Sequence, residues 1–411
     1  MPSGWAKLCG VLRRELWRRN IPHGMISWRY LFASSPQLAA HREIFWTALP
    51  GLPKPLYLIL EIILWLKWAT LCGWLALFRV LRRYGGLVRD ERGIPVYRQF
   101  FRLVRLSIGA CMPPADVYRF GLVEHPGGLW NYVSDRHIAA FHRWRNSRQP
   151  ISSHEYSRLG NKAVTTGILL SRGIPMAPIL ATASSTASLD FLDALNTHRH
   201  LFCKSRSGNR GLGAFECWQT EQTIEGRMFE GEALPDQQSV IAAWESLLER
   251  DHALVQPALQ NHPQLAPLVP DGRAITVRCI TFRDGRDIAI LCASLEIPAE
   301  RRPSDRPDTY VILPVDADSG LVQPLAGNLP LPEPVRQSQR DMLKAIGGPR
   351  PLPDWQALIG HSLSAHGAFP EFWAIAWDWV LTPDGPILLE GNTGFGGSLP
   401  QSLTGGFLAQ L

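Results

Sequence analysis

Residues 373–392 constrain this chain more than any other stretch. Two apolar runs, 373–382 and 386–389, flank Pro383, Asp384 and Gly385. Proline and glycine supply turn dihedrals, so the stretch reads as a β-hairpin. With the turn centred on Asp384, Asp378 is expected opposite Glu390, and Asn392, two residues on, shares that face. Opposed carboxylates repel unless a cation lies between them. Two carboxylates and an amide oxygen on one surface form a hard-oxygen set suited to Mg²⁺. The competing reading is a polar face that meets solvent, with a one-residue slip separating the acids. The flanking tryptophans and leucines argue instead for a buried face, where bare carboxylates are costly.

Upstream, cations recur beside glycines and helix starts. Lys162 opens a helix whose Val164, Ile168 and Leu169 share one face, with Gly173 ending it and Pro175 preventing its return. A lysine at the positive end of a helix makes sense if an anion binds both. Residues 201–218 read as a strand, a glycine-rich loop (Gly208, Asn209, Arg210, Gly211, Gly213) and a second strand. The loop is neither a P-loop nor a dinucleotide fingerprint, because no helix follows it. Its backbone N–H groups are suited to fold over phosphates, with Lys204 aimed at the same anion. A plain glycine hairpin is the alternative. A helix is expected over 241–249 and a strand from 253, at a domain boundary. Residues 274–282 and 287–295 pair around Asp284 and Gly285, so Thr276 and Arg278 share a face. An arginine there marks either an exposed face or a buried anion ligand. Residues 98–149 read as mixed and helical, and 298–353 as long loops with short strands. Asp316 and Asp318 near Gly320 read as an ordinary turn rather than a calcium loop.

The charge is uneven along the chain. Residues 1–110 hold 17 Lys/Arg against 5 Asp/Glu, whereas the whole chain carries only +6. Such a front end implies an anionic partner. Residues 56–78 are almost all apolar, broken only by Glu61 and Lys67, and seven of the fifteen tryptophans precede residue 80. The aromatics lie within apolar runs rather than among regular cations, which disfavours nucleic acid. Three readings remain: attachment to a membrane surface, a helix buried on the core, and a true span, which the two charges make expensive. The opening residues lack the apolar core of a signal peptide, and seven cysteines without C-x-x-C spacing read as reduced thiols of a cytoplasmic protein.

The order of these features, more than any one of them, resembles the ATP-grasp superfamily. Its carriers are Asn161 with Lys162, Gly173 to Pro175, Lys204 with the 208–213 loop, Val255 with Gln256, Arg278, and Asp378, Glu390 and Asn392. The span from about residue 118 onward is similar to the sugar-transfer-associated ATP-grasp family, related to carboxylate–amine ligases. The resemblance implies an α+β fold in which two lobes grip ATP, after a mostly helical, partly hydrophobic N-terminal region. The implied division is 1–110, 111–255 and 256–411. Lys162 and Lys204 would hold phosphates under the glycine loop. Val255 would offer backbone groups to adenine, with Gln256 at the hinge. Asp378, Glu390 and Asn392 would hold Mg²⁺, and Arg278 would neutralise the transferring phosphoryl group. The implied chemistry is activation of an unidentified carboxylate as an acyl phosphate and its capture by an amine or other nucleophile, in cell-envelope or polysaccharide metabolism. The alternatives are an ATP-dependent phosphotransferase and a membrane-associated ATP-binding protein without ligation. The usual acidic residue after the hinge is replaced by Gln256, Pro257 and Gln260.

Overall fold

A computed structural model describes residues 9–10, 13, 34–48, 54–149, 156–183, 190–206, 213–229, 231–250, 252–298, 310–324, 333–346 and 350–409. The chain forms two compact units. One comprises Met1–Gln149, Ala326–Ser338 and Gly394–Leu411; the other comprises Pro150–Leu325 and Gln339–Thr393. The packing therefore divides near residue 150 rather than at the expected 110. Met112, Val117, Tyr118, Phe120 and Leu122 share a core with Leu77, Val88, Leu103 and Leu106. No apolar face is left at 110 to make a boundary.

The first unit is helical among the described residues. Helix Lys54–Lys67 continues through a π-turn, Trp68–Cys72, into Gly73–Arg92. Gly73 is required at the crossing, since a Cβ there would lie 2.5 Å from Ile108 Cδ1. The left-handed Gly93 (φ 66°) ends the helix by donating its N–H to the Arg89 carbonyl. Buried Gln99 braces the next helix, Val96–Leu103: its amide donates to the Gly85 and Ile94 carbonyls and accepts from the Tyr118 hydroxyl. The last residues return to this unit because Gln401 behaves like a strand partner. It accepts from Val133 N–H and donates to Val133 C=O, both at 2.7 Å.

The second unit holds two antiparallel sheets, which meets the α+β expectation. The six-stranded sheet comprises β1 (Ala181–Ala183), β2 (His200–Ser205), β3 (Phe215–Gln219), β4 (Ile224–Met228), β5 (Ala233–Leu234) and β6 (Ala253–Pro257). Their order is β1-β6-β2-β3-β4-β5. The five-stranded sheet comprises β7 (Thr276–Asp284), β8 (Asp287–Pro298), β9 (Tyr310–Val315), β10 (Ala374–Thr382) and β11 (Gly385–Asn392), in the order β11-β10-β7-β8-β9. The expected break at 255/256 falls inside β6, which is hydrogen-bonded on both edges. The helix expected over 241–249 spans Gln237–Arg250. Helix Glu333–Ala345 lies in the stretch expected to be loops. Asp316 accepts from the backbone and hydroxyl of Ser319, as the ordinary-turn reading requires.

Candidate functional site

The hairpin β10–β11 places the acids. Its two-residue turn pairs Thr382 with Gly385, so regular pairing would set Asp378 against Leu389. A bulge between Asp378 and Trp379 shifts the register by one, and Asp378 stands opposite Glu390. The expected pairing is therefore present, but the bulge produces it rather than a turn centred on Asp384. Gly391 separates Glu390 from Asn392 for a packing reason: a Cβ there would lie 2.5 Å from Trp377 Cζ3. Trp377 is fully buried and donates its indole N–H to the Thr281 hydroxyl.

On the other edge of β10, Arg278 of β7 stands opposite Asp378. The guanidinium grips that carboxylate with two nitrogens, at 2.8 and 3.1 Å. Its third nitrogen lies 3.0 Å from Glu296 Oε1. Mid-strand Arg278 is thus paired with two of the chain's own carboxylates. Burial works against its charge, and Asp378, Glu296 and Glu390 more than restore it. Burial raises the Asp378 carboxyl; Arg278 opposes the rise and Glu390 adds to it. Burial also pushes Glu296 up to about 7 against the pull of Arg278. Sequence reasoning missed Glu296. It sits opposite Thr276, diagonal to Arg278, through a second bulge between Ile280 and Thr281.

Lys162 is the first residue of helix Lys162–Leu170, capped by Asn161, whose side chain accepts from the N–H groups of Ala163 and Val164. Its ammonium lies 3.5 Å from Glu390 Oε2. The helix is anchored to β11 by the segment after it: Leu388 N–H donates to Pro175 C=O, and Ala177 N–H to Leu388 C=O. Lys204 points its charge from β2 into the same field. Burial pulls its ammonium down to about 8; Glu390 and Asp378 oppose this and Lys162 reinforces it. Gly208, Asn209, Arg210 and Gly211 lie outside the described residues; Gly213, at φ 72°, closes the loop in a conformation that favours glycine.

Val255 and Gln256 also make contacts within the unit. The Val255 carbonyl accepts from Leu180 N–H within the sheet. The buried Gln256 amide donates to Ala177 C=O. It therefore ties β6 to the segment that anchors the Lys162 helix.

The donor set fits a hard cation. Asn392 Nδ2 lies 3.0 Å from Asp378 Oδ2 and 3.2 Å from Glu390 Oε1, so the three side chains meet at one point. Turning the Asn392 amide about its last bond would bring a third oxygen to that point. The side chains become more exposed away from Asp378: Asp378 is 9% exposed, while Arg278 and Glu390 are each 33% exposed. Among these three side chains, Asp378 is therefore the most deeply buried.

No protein-family profile matches the chain, and no curated protein matches it. Solved structures similar to it include D-alanine–D-alanine ligase from Bacillus anthracis (15% identity, 61% of this chain and 63% of that one, TM-score 0.36). Another is the VanG D-Ala:D-Ser ligase from Enterococcus faecalis (10% identity, 61% and 59%, TM-score 0.40). A third is the ATP-grasp ligase PsnB (12% identity, 64% and 62%, TM-score 0.31). The chain spans less than two thirds of the length of each. At these scores the likeness carries no argument about activity.

Proposed function

We propose that the second unit is an ATP-dependent ligase site of the ATP-grasp type, which activates a carboxylate as an acyl phosphate. One observation carries the reading: Lys162, Lys204 and Arg278 share one electrostatic field with Asp378, Glu390 and Asn392. Strongly shifted titratable groups gathered around a charged cluster mark a candidate site. Here burial leaves a lysine down at about 8 and a glutamic acid up at about 7. Such desolvated charges are costly unless a ligand completes them.

In this reading Lys162 and Lys204 bind the phosphate oxygens of ATP, and Arg278 faces the phosphoryl group in transit. Asp378, Glu390 and Asn392 would hold Mg²⁺, which when bound neutralises phosphate charge. A substrate carboxylate oxygen attacks the γ-phosphorus and the bond to the bridging β–γ oxygen breaks, releasing ADP. The amine or other nucleophile then attacks the acyl carbon, and inorganic phosphate leaves as the nucleophile loses its proton. The chain's own contribution is positioning and charge neutralisation rather than a covalent nucleophile.

The test is ADP release with Mg-ATP across a panel of carboxylates, each with and without an amine, followed by mass spectrometry of the product. A ligase gives equal ADP and inorganic phosphate and a condensed product. A phosphorylated product without free phosphate would assign a phosphotransferase instead. No ADP release with any substrate, together with no ATP binding, would remove the nucleotide site.

A further inference from the structure

The apolar run of the first unit does not bury itself. Helix Leu58–Arg92 is long and apolar enough to cross a membrane, yet only 28% of its most apolar window is buried. Its inner face is Leu60, Leu64, Trp68, Leu77 and Val88. Its outer face leaves Ile59, Ile62 and Leu66 about half exposed, at 58%, 61% and 50%. From Leu71 in the π-turn onward, Leu71, Leu75 and Phe78 continue that exposure, at 58%, 58% and 54%. Their spacing of four and three residues puts these three on one stripe. Phe78 stacks on Phe100, and beside it Tyr97 and Phe101 are exposed at 59% and 65%. One turn further along, the same helix presents Arg79, Arg82 and Arg83, all exposed.

We propose that this face docks in the plane of an anionic bilayer surface, with the apolar stripe among the acyl chains and the arginines among the headgroups. Three observations select that occupant. An exposed apolar face of this extent on one helix marks an interaction surface. It runs directly into a cation cluster, in a region carrying 17 Lys/Arg against 5 Asp/Glu. A second copy would bring the same positive charge, whereas anionic headgroups complement it. The packing of the inner face also selects the in-plane orientation. Trp68 donates to Ser107 C=O and Gln99 to Gly85 C=O, which fixes the helix against residues 96–108. A perpendicular span would carry Arg98, Gln99 and Arg102 into the hydrocarbon, where charge is expensive.

The test is co-sedimentation of the full chain with phosphatidylcholine vesicles, with and without phosphatidylglycerol. Binding should be stronger to the anionic vesicles and weakened but not abolished by high salt, because insertion survives screening. Arg79→Gln, Arg82→Gln and Arg83→Gln together should lower the partition coefficient on anionic vesicles by on the order of a hundredfold, at about fivefold per charge. Leu66→Gln, Leu71→Gln and Leu75→Gln together should remove binding to both vesicles while leaving the thermal melt unchanged, since each side chain is half exposed or more. Wild-type binding by the apolar triple variant would overturn the proposal. So would a wild-type dimer, in the absence of lipid, that the same variant converts to a monomer. Brominated lipids give an independent readout: tryptophan quenching should be strongest for shallow bromines, and strongest quenching at the bilayer centre would assign a span instead.

Discussion

Asp378 faces Glu390 across the β10–β11 hairpin because a bulge between Asp378 and Trp379 adds one residue to the β11 side. Without it the turn would pair Asp378 with Leu389, and Glu390 would point to the other face. A local irregularity thus sets two like charges side by side, and Asn392 donates to both. Repulsion between them is tolerable only with positive charge close by, which Arg278 and Lys162 supply.

The acids should be indispensable to turnover. Asp378→Asn and Glu390→Ala are each expected to lower ATP turnover by at least about a hundredfold, because each removes an oxygen from the shared set. Glu390→Ala should fold normally, since its side chain is one-third exposed. Near-normal ATP consumption by Glu390→Ala would remove the catalytic assignment.

Nucleotide affinity should depend on the charge of Lys204. Its ammonium, held down at about 8 chiefly by burial, is lost as the pH rises through that value. Wild-type affinity for ATP is therefore expected to fall above about pH 8, whereas Lys204→Ala should bind weakly and without that step. Gly211 substitution should slow turnover more than it weakens binding. Calorimetric titration at several pH values checks the affinities and an ADP-release assay the turnover; unchanged affinity in Lys204→Ala would move the phosphate site elsewhere.

Glu296 gives a step of opposite origin. Raised to about 7 by burial, it carries a charge above that pH and none below it. Its folded pKa exceeds the unfolded one, so this group favours folding at low pH and loses that contribution as pH rises through 7. Protonation also frees Arg278 for an anion. ATP should bind more tightly as pH falls through 7, and Glu296→Gln should abolish this trend. At pH 8 the variant should bind roughly tenfold more tightly, the effect of removing one like charge from a partly screened site. Identical pH profiles for the two proteins would contradict this role.

Gly391→Ala should be costly although the residue makes no polar contact through a side chain. The added methyl would meet the Trp377 ring at 2.5 Å, and overpacking of this kind costs about 1–3 kcal/mol. A lower melting temperature, together with reduced turnover from the displaced Glu390 and Asn392, is expected. Calorimetry and an ADP-release assay report the two effects separately.

In the first unit, buried His142 is held down at about 4, chiefly by desolvation, while its ring nitrogen lies 2.9 Å from the Phe395 carbonyl oxygen. Its folded pKa lies below the unfolded 6.5, so its contribution is full above 6.5 and lost as pH falls toward 4. His142→Gln should be less stable than wild type at pH 7, by about 1–3 kcal/mol. The deficit should shrink as pH falls toward 4. A constant gap in melting temperature across that range would exclude the titration.

Features that depend on a few neighbouring residues are legible from the amino-acid order alone. The Pro383–Asp384 turn, the helix opening at Lys162 behind Asn161, the stop at Gly173 and the strands carrying Lys204 and Arg278 all follow from turn chemistry and apolar period. Tertiary structure decided what those elements bring together. Each bulge changes the register by one residue, so neither the reason Asp378 meets Glu390 nor the arrival of Glu296 beside Arg278 can be counted from a turn. That Leu180 N–H would meet the Val255 carbonyl is likewise a product of the sheet. Gln401 shows no sign in the sequence that its amide will stand in for a strand against Val133, yet it returns the chain's end to the first unit. Local dihedral preferences act over a few residues. Register, desolvation and side-chain pairing arise only when segments far apart in the chain are packed against each other.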